Sequence, residues 1–233
     1  MRSRSLPALL VAALAGSALP AQQRGPDTRP GIAVLSIYSA GSYGQDKENF
    51  DALQKGIAGM LISELSANPA ARVVEREEIN RLVEEQHLDA SGRLDPQAAA
   101  KIGKLVDARY VVKGSFVDFY GDFRLDLHLV NVETSEIIKT ESERMQRDHL
   151  FDIIRSAASK LMKDANLPTL PRQISEQRLS RQVPTEALTY YSRALLYQDR
   201  GQKDKAIEMY QQALQIFPDY AEASEGLQKA QRS

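Results

Sequence analysis

The stretch YVVKGSFVDFYGDFRLDLHLVNVETSEIIKTESER, running from Tyr110 to Arg144, decides the fold. Apolar and polar residues alternate along it with a period of two, the spacing of strands that bury one face. Tyr120-Gly121-Asp122 and Glu133-Thr134-Ser135 interrupt the alternation with turn-forming residues. The pattern predicts three antiparallel strands, Tyr110 to Phe119, Phe123 to Val132 and Glu136 to Arg144. Upstream, Gly31 to Ser39 (GIAVLSIYS) is a short β-branched run and reads as a buried strand. Phe50, Leu53, Ile57, Met60, Leu61 and Leu65 recur at three- and four-residue steps, so Glu48 to Ala67 reads as an amphipathic helix that Asn68-Pro69 stops. Within it, Gly56-Ile57-Ala58-Gly59 is expected to allow close helix–sheet packing. A second short strand covers Arg72 to Glu75, and a helix covers Glu77 to Gln86. After a turn at Asp89 to Arg93, Asp95-Pro96 caps a third helix, with Ala99, Ile102 and Leu105 inward. His149 to Ala165 closes the unit as a helix. The order β-α-β-α-α-β-β-β-α implies an α/β fold, a mixed sheet flanked by helices.

Met1 to Ala21 has the build of a secretory signal peptide. Arg2 and Arg4 come first, Leu6 to Leu14 form an apolar run, and small residues lead to Ala18-Leu19-Pro20-Ala21. Cleavage is expected between Ala21 and Gln22. The run is far short of the roughly 20 residues of a spanning helix, so a periplasmic product without an integral membrane segment is expected. Lys and Arg number 30 against 31 Asp and Glu, and losing Arg2 and Arg4 shifts the net charge from −1 to −3. Such a balance argues against a nucleic-acid partner, which calls for a clustered basic face. With no cysteine, disulfides, thiolate metal sites, a cysteine nucleophile and a cysteine-borne lipid anchor are all excluded.

Downstream, residues 168–184 hold Pro168, Pro171 and Pro184 among scattered charge and read as a linker. Residues 185–233 read as two helices, about Thr185 to Asp199 and Lys203 to Phe217, and a short last helix from Tyr220 to Ala230. Counted from Ala187, the residues Tyr190, Ala194, Tyr197, Gly201, Ala206, Tyr210, Ala213 and Pro218 fall at the signature slots of a 34-residue repeat. In kind and spacing the segment resembles a tetratricopeptide repeat, an all-α helical hairpin. The large Tyr190, Tyr197 and Tyr210 are expected to fill space beside the small Ala194, Ala206 and Ala213. By that resemblance, Leu188, Tyr191, Leu195 and Gln198 form the face that meets a partner peptide. A single repeat buries too little by itself, so it must lean on the first domain, on a copy of itself, or on a partner.

Val73-Val74-Glu75-Arg76-Glu77-Glu78-Ile79-Asn80-Arg81-Leu82-Val83-Glu84-Glu85-Gln86 is similar to the strand-and-helix signature of the CsgG family of curli secretion proteins. Ala108-Arg109-Tyr110-Val111-Val112-Lys113-Gly114-Ser115 follows, then Leu129-Val130-Asn131-Val132-Glu133-Thr134-Ser135-Glu136-Ile137, both in the family's order. The resemblance covers residues 31–167, with 22–30 as a flexible leader, and implies a sheet of the anticodon-binding-domain-like kind. The alternative within that broad fold is a TolB-amino-terminal-like or penicillin-binding-protein-activator-like domain, which would make the protein an envelope regulator binding a cell-wall synthase. The family's namesake forms a pore through spanning hairpins and a lipid anchor. A spanning strand needs roughly 9–11 residues, yet Phe119 meets Phe123 through a tight turn, the Arg144 to His149 connection is equally short, and no cysteine exists. The chain is therefore not expected to form a pore itself.

No catalytic constellation or cofactor fingerprint emerges. His87, His128 and His149 are scattered and read as surface residues rather than metal ligands. Asp89-Ala90-Ser91-Gly92 lacks the later ligands of a calcium loop. Asp118, Asp122 and Asp126 flank one hairpin, and strand alternation is expected to set Asp118 and Asp126 on one solvated face. The sequence thus points to a non-enzymatic, cofactor-free protein-interaction module in envelope assembly or curli-like secretion. Its partners would be envelope proteins, with self-association among them.

Overall fold

The computed structural model describes residues 27–85 and 94–232. The N-terminal apolar run with its Ala21–Gln22 junction, His87, and the Asp89 to Arg93 turn lie outside the described residues. The first domain runs β1 (Gly31–Ser39), α1 (Lys47–Ser66), β2 (Arg72–Val73), α2 (Arg76–Glu85), α3 (Pro96–Leu105), β3 (Tyr110–Phe119), β4 (Asp122–Asn131) and β5 (Glu136–Gln146). A single 3-10 turn, Arg147–His149, leads into α4 (Leu150–Asp164). The five strands form one sheet in the order β2-β1-β3-β4-β5. β1 pairs parallel with β2 and β3, while β3, β4 and β5 are antiparallel.

Period-two patterning places two different cores on the two faces of this sheet. Phe116, Phe123, Leu125, Leu127 and Leu129 meet α1 and α4 on one side. Val111, Val130 and Val132 meet α3 on the other, where α2 covers β1. The caps act as the sequence requires. The Asn49 N–H donates to Asp46 Oδ1 at 2.8 Å, and the Ala98 N–H donates to Asp95 Oδ1 at 2.7 Å, each satisfying a free donor of a helix's first turn.

Asp118 departs from expectation. It pairs with Phe123, whereas Asp126 pairs with Ser115. The two carboxylates therefore point to opposite faces of the sheet. Asp118 is fully buried, and its partner is Arg147, whose Nη1 donates to Oδ2 at 2.6 Å. Asp126 is the solvated one, accepting from Arg124 and from the Ser142 hydroxyl.

The segment read as a linker carries a helix, α5 (Arg172–Ser180), followed by α6 (Thr185–Asp199), α7 (Lys203–Ile216) and α8 (Ala221–Arg232). No residue of α5 is buried, so no apolar period announces it. It is held by polar contacts: Arg172 Nε donates to Glu176 Oε1 at 2.7 Å, and Arg155 caps the carbonyls of Arg178, Leu179 and Arg181. α6 and α7 form an antiparallel hairpin, closed through Gly201 at φ +68°. Ala194, Ala206, Tyr210 and Ala213 are buried in it, while Tyr190 and Tyr197 are half-buried and Gly201 and Pro218 lie at the exposed ends. No helix among the described residues is long and apolar enough to cross a membrane.

Candidate functional site

The distinctive site of the molecule is the junction between the hairpin and α1. Gly56 and Gly59 face α6 rather than the sheet, correcting the expected helix–sheet role. A β-carbon at Gly56 would lie 1.7 Å from Ser192 Oγ, and one at Gly59 would lie 2.8 Å from Tyr191 Oη. Two missing side chains thus bring the helices close enough for Leu188, Tyr191 and Leu195 to bury on α1. Of the alternatives open to a lone repeat, the structure takes the first: it leans on its own α/β domain. Tyr191 also packs against Tyr220, with ring centroids 5.2 Å apart, and the Tyr220 hydroxyl donates to Met60 Sδ at 3.1 Å. Burial raises the phenols of Tyr191, Tyr210 and Tyr220 above their ordinary range.

Charged contacts frame this apolar centre. Arg76 and Lys55 both reach Asp199 at the end of α6, Lys55 at 3.2 Å. Burial of Arg76 disfavours its charge, but Asp199 and Glu77 outweigh that and raise its pKa. Arg178 and Arg181 of the α5 segment reach two different helices. Arg178 Nε donates to the buried Glu64 of α1 at 3.0 Å, and Arg181 Nη1 donates to Glu222 of α8 at 2.8 Å. The Ser63 hydroxyl also donates to Glu222. Burial of Glu222 opposes ionisation, yet Arg181 and Ser63 prevail and hold its pKa below the usual carboxylate value of 4.5.

Between these contacts a cleft of about 480 Å³ remains, bordered by α1, the start of α2, α5, α6 and α8. Tyr191, Leu195 and Gln198 line it, whereas Leu188 is buried beneath. Gln198 Oε1 accepts from the Tyr210 hydroxyl at 2.7 Å. The face expected to meet a peptide is therefore covered by α1 at Leu188, Tyr191 and Leu195, and of its four residues Gln198 is the one that stays half-exposed. Sequence reasoning passed over Arg76, Arg178, Arg181 and Glu222. The one signal available was Glu64, a carboxylate between Leu61 and Leu65 on an otherwise apolar helix face. His128 sits apart, with Nδ1 2.8 Å from Thr140 Oγ1, and burial followed by Lys113 lowers its pKa. His149 lies beside Asp152 at 3.4 Å. Among the described residues no group of three or more His, Asp or Glu is arranged to hold a metal.

This architecture has counterparts. The family model described as "Curli production assembly/transport component CsgG" matches residues 12–124, and the model for the tetratricopeptide repeat matches residues 187–220. The chain thus carries a CsgG domain followed by a tetratricopeptide repeat, in that order. Among curated proteins none matches the chain. The C-terminal domain of LpoB from Escherichia coli is similar at 19% identity over 50% of this chain and 82% of that one, with a TM-score of 0.41. TolB from Acinetobacter baumannii is similar at 15% identity over 71% of this chain and 32% of its own, with a TM-score of 0.37. The PelC dodecamer from Paraburkholderia phytofirmans is similar at 13% identity over 60% and 90%, with a TM-score of 0.34.

Proposed function

We propose that the protein is a non-enzymatic interaction module of the cell envelope, acting in assembly or secretion by holding a segment of another protein in the junction cleft. The observation that carries this reading is that half-exposed Gln198 borders a cleft whose wall Tyr191 and Leu195 form, while the repeat's inner face itself rests on α1. The arginines lining the cleft are already paired with carboxylates, which suits an uncharged extended segment better than a charged small molecule. Periplasmic export through the N-terminal run and cleavage at Ala21 belong to the same reading.

The test is affinity capture from envelope extract with the wild-type chain and with Ser66→Trp, which fills the mouth of the cleft. Envelope assembly or secretion components captured by the wild type and lost from the variant are expected. Equal capture by both would remove the cleft from the mechanism, and recovery of cell-wall synthases would favour a regulator of those enzymes instead.

A further inference from the structure

One end of the sheet exposes three aromatic rings that the junction does not use. Tyr43, Phe119 and Tyr120 are 59%, 58% and 74% exposed, and Met145 at the end of β5 is 40% exposed. The rings meet edge to face, with Tyr43 and Phe119 centroids 6.0 Å apart and Phe119 and Tyr120 centroids 5.1 Å apart. Tyr120-Gly121 is the apex of the β3–β4 hairpin, with φ of +52° and +97°. A two-residue turn with both angles positive favours Asn or Gly at its first central position. A tyrosine is held there against local preference, at the most exposed point of the hairpin.

Buried polar groups fix this tip from below. Asp118 accepts from the Gly121 N–H at 2.8 Å, from Gln45 Nε2 at 3.2 Å and from Arg147, tying the hairpin to the β1–α1 loop and to the end of β5. The Tyr43 N–H donates to the Asp118 carbonyl at 2.7 Å, and the Tyr120 N–H donates to the Tyr43 carbonyl at 3.2 Å. The rings therefore stay outward on two turns that lock one another.

Shape, area and charge select the occupant. At about 150–250 Å² per aromatic side chain, the exposed rings amount to roughly 400 Å². That is about half of the roughly 800 Å² that each partner buries in a standard protein interface, and it stands at the apex of a hairpin. The neighbouring charges are paired, Asp122 with Arg144, Asp118 with Arg147 and Lys47 with Asp51. A hydrogen-bonded hairpin tip of Phe between two Tyr, without a cationic cluster, matches the headgroup layer of a bilayer, where amphipathic rings settle. We propose that the Tyr43–Phe119–Tyr120 tip dips into the surface of a lipid bilayer without crossing it. This goes beyond the interaction reading and does not rest on it, because the cleft and the tip share no residue.

The experiment uses residues 22–233, so that the N-terminal apolar run contributes nothing to lipid binding. Sedimentation with phosphatidylcholine vesicles, and with vesicles containing phosphatidylglycerol, should show binding to both that survives 0.5 M salt. Phe119→Ser combined with Tyr120→Asn should lower the bound fraction at least ten-fold. Tyr120→Asn alone suits the turn and should leave the melting temperature no lower, which separates lipid binding from folding. The chain has no tryptophan, so Tyr120→Trp supplies a single reporter whose emission should shift to the blue on neutral vesicles. Absence of binding, binding to anionic vesicles alone, or an unchanged bound fraction in the double variant would each overturn the proposal.

Discussion

A β-carbon at Gly56 would lie 2.6 Å from Ser192 Cβ as well as 1.7 Å from its hydroxyl oxygen. Helix propensity alone favours Ala over Gly by about 1 kcal/mol, so Gly56→Ala would stabilise an isolated α1. In the folded chain the overlap dominates, because close-packed helices accommodate an extra methyl only by shifting, at about 1–3 kcal/mol. Gly56→Ala is therefore expected to lower stability in urea titration, and Ser192→Gly in the same chain should recover part of the loss. Asp118 shows the opposite economy of space: a carboxylate with no exposure whose contacts join two loops and a strand end. Both residues act through partners distant in sequence, so neither role is visible locally. Alternation along β3 places Asp118 on the face of Phe116 and Gly114, and the charge of Arg147 together with the Gly121 N–H and the Gln45 amide makes that placement tenable.

At the scale of elements, α5 works as a two-sided strap. Its helical turns bury nothing, yet Arg178 grips α1 and Arg181 grips α8. Glu222 gives this strap an acid limit. Its folded pKa lies below the ordinary 4.5, so its contribution to stability is complete above that value and is lost as pH falls through the folded one. The melting temperature should decline between pH 5 and pH 3, and Glu222→Gln should flatten that decline while costing on the order of 2 kcal/mol near neutrality. The cost stays below that of a fully buried pair because Arg181 keeps 21% of its side chain exposed. An unchanged acid profile in the variant would show that other carboxylates set the limit. The strands, the three helices of the first domain, its closing helix and the repeat's hairpin were legible, since each is written as an apolar period, a cap or a small-residue signature. α5 was not, because ion pairs and carbonyl caps leave no period. The cleft was legible only in part: the repeat's pattern named Tyr191, Leu195 and Gln198, but which surface would cover Leu188 depended on two glycines far upstream.

For the whole molecule, the question is whether repeat and sheet are two bodies or one. A single repeat lacks the stacked neighbours that normally complete its core. Here Leu53, Ile57 and Met60 of α1 belong to the same buried cluster as Leu188, Tyr191, Leu195 and Tyr220. At about 2 kcal/mol for each large side chain buried, four such residues on the repeat's side put the junction at on the order of 8 kcal/mol, an upper estimate. That is comparable with the 5–15 kcal/mol by which whole domains are stable. Neither part can then unfold while the other stays intact. Calorimetry of the full chain should accordingly show one transition, with the van't Hoff and calorimetric enthalpies in agreement. A chain ending at residue 184 should melt lower and aggregate, because it exposes Met60 and the strip of α1 between Gly56 and Gly59 that Ser192, Tyr191 and Leu195 cover. Two resolved transitions, or a truncated chain as stable as the full one, would mean that the repeat is an independent arm. One transition makes the cleft a fixed notch in a rigid body, whose width is set by the glycines of α1 and not by a hinge.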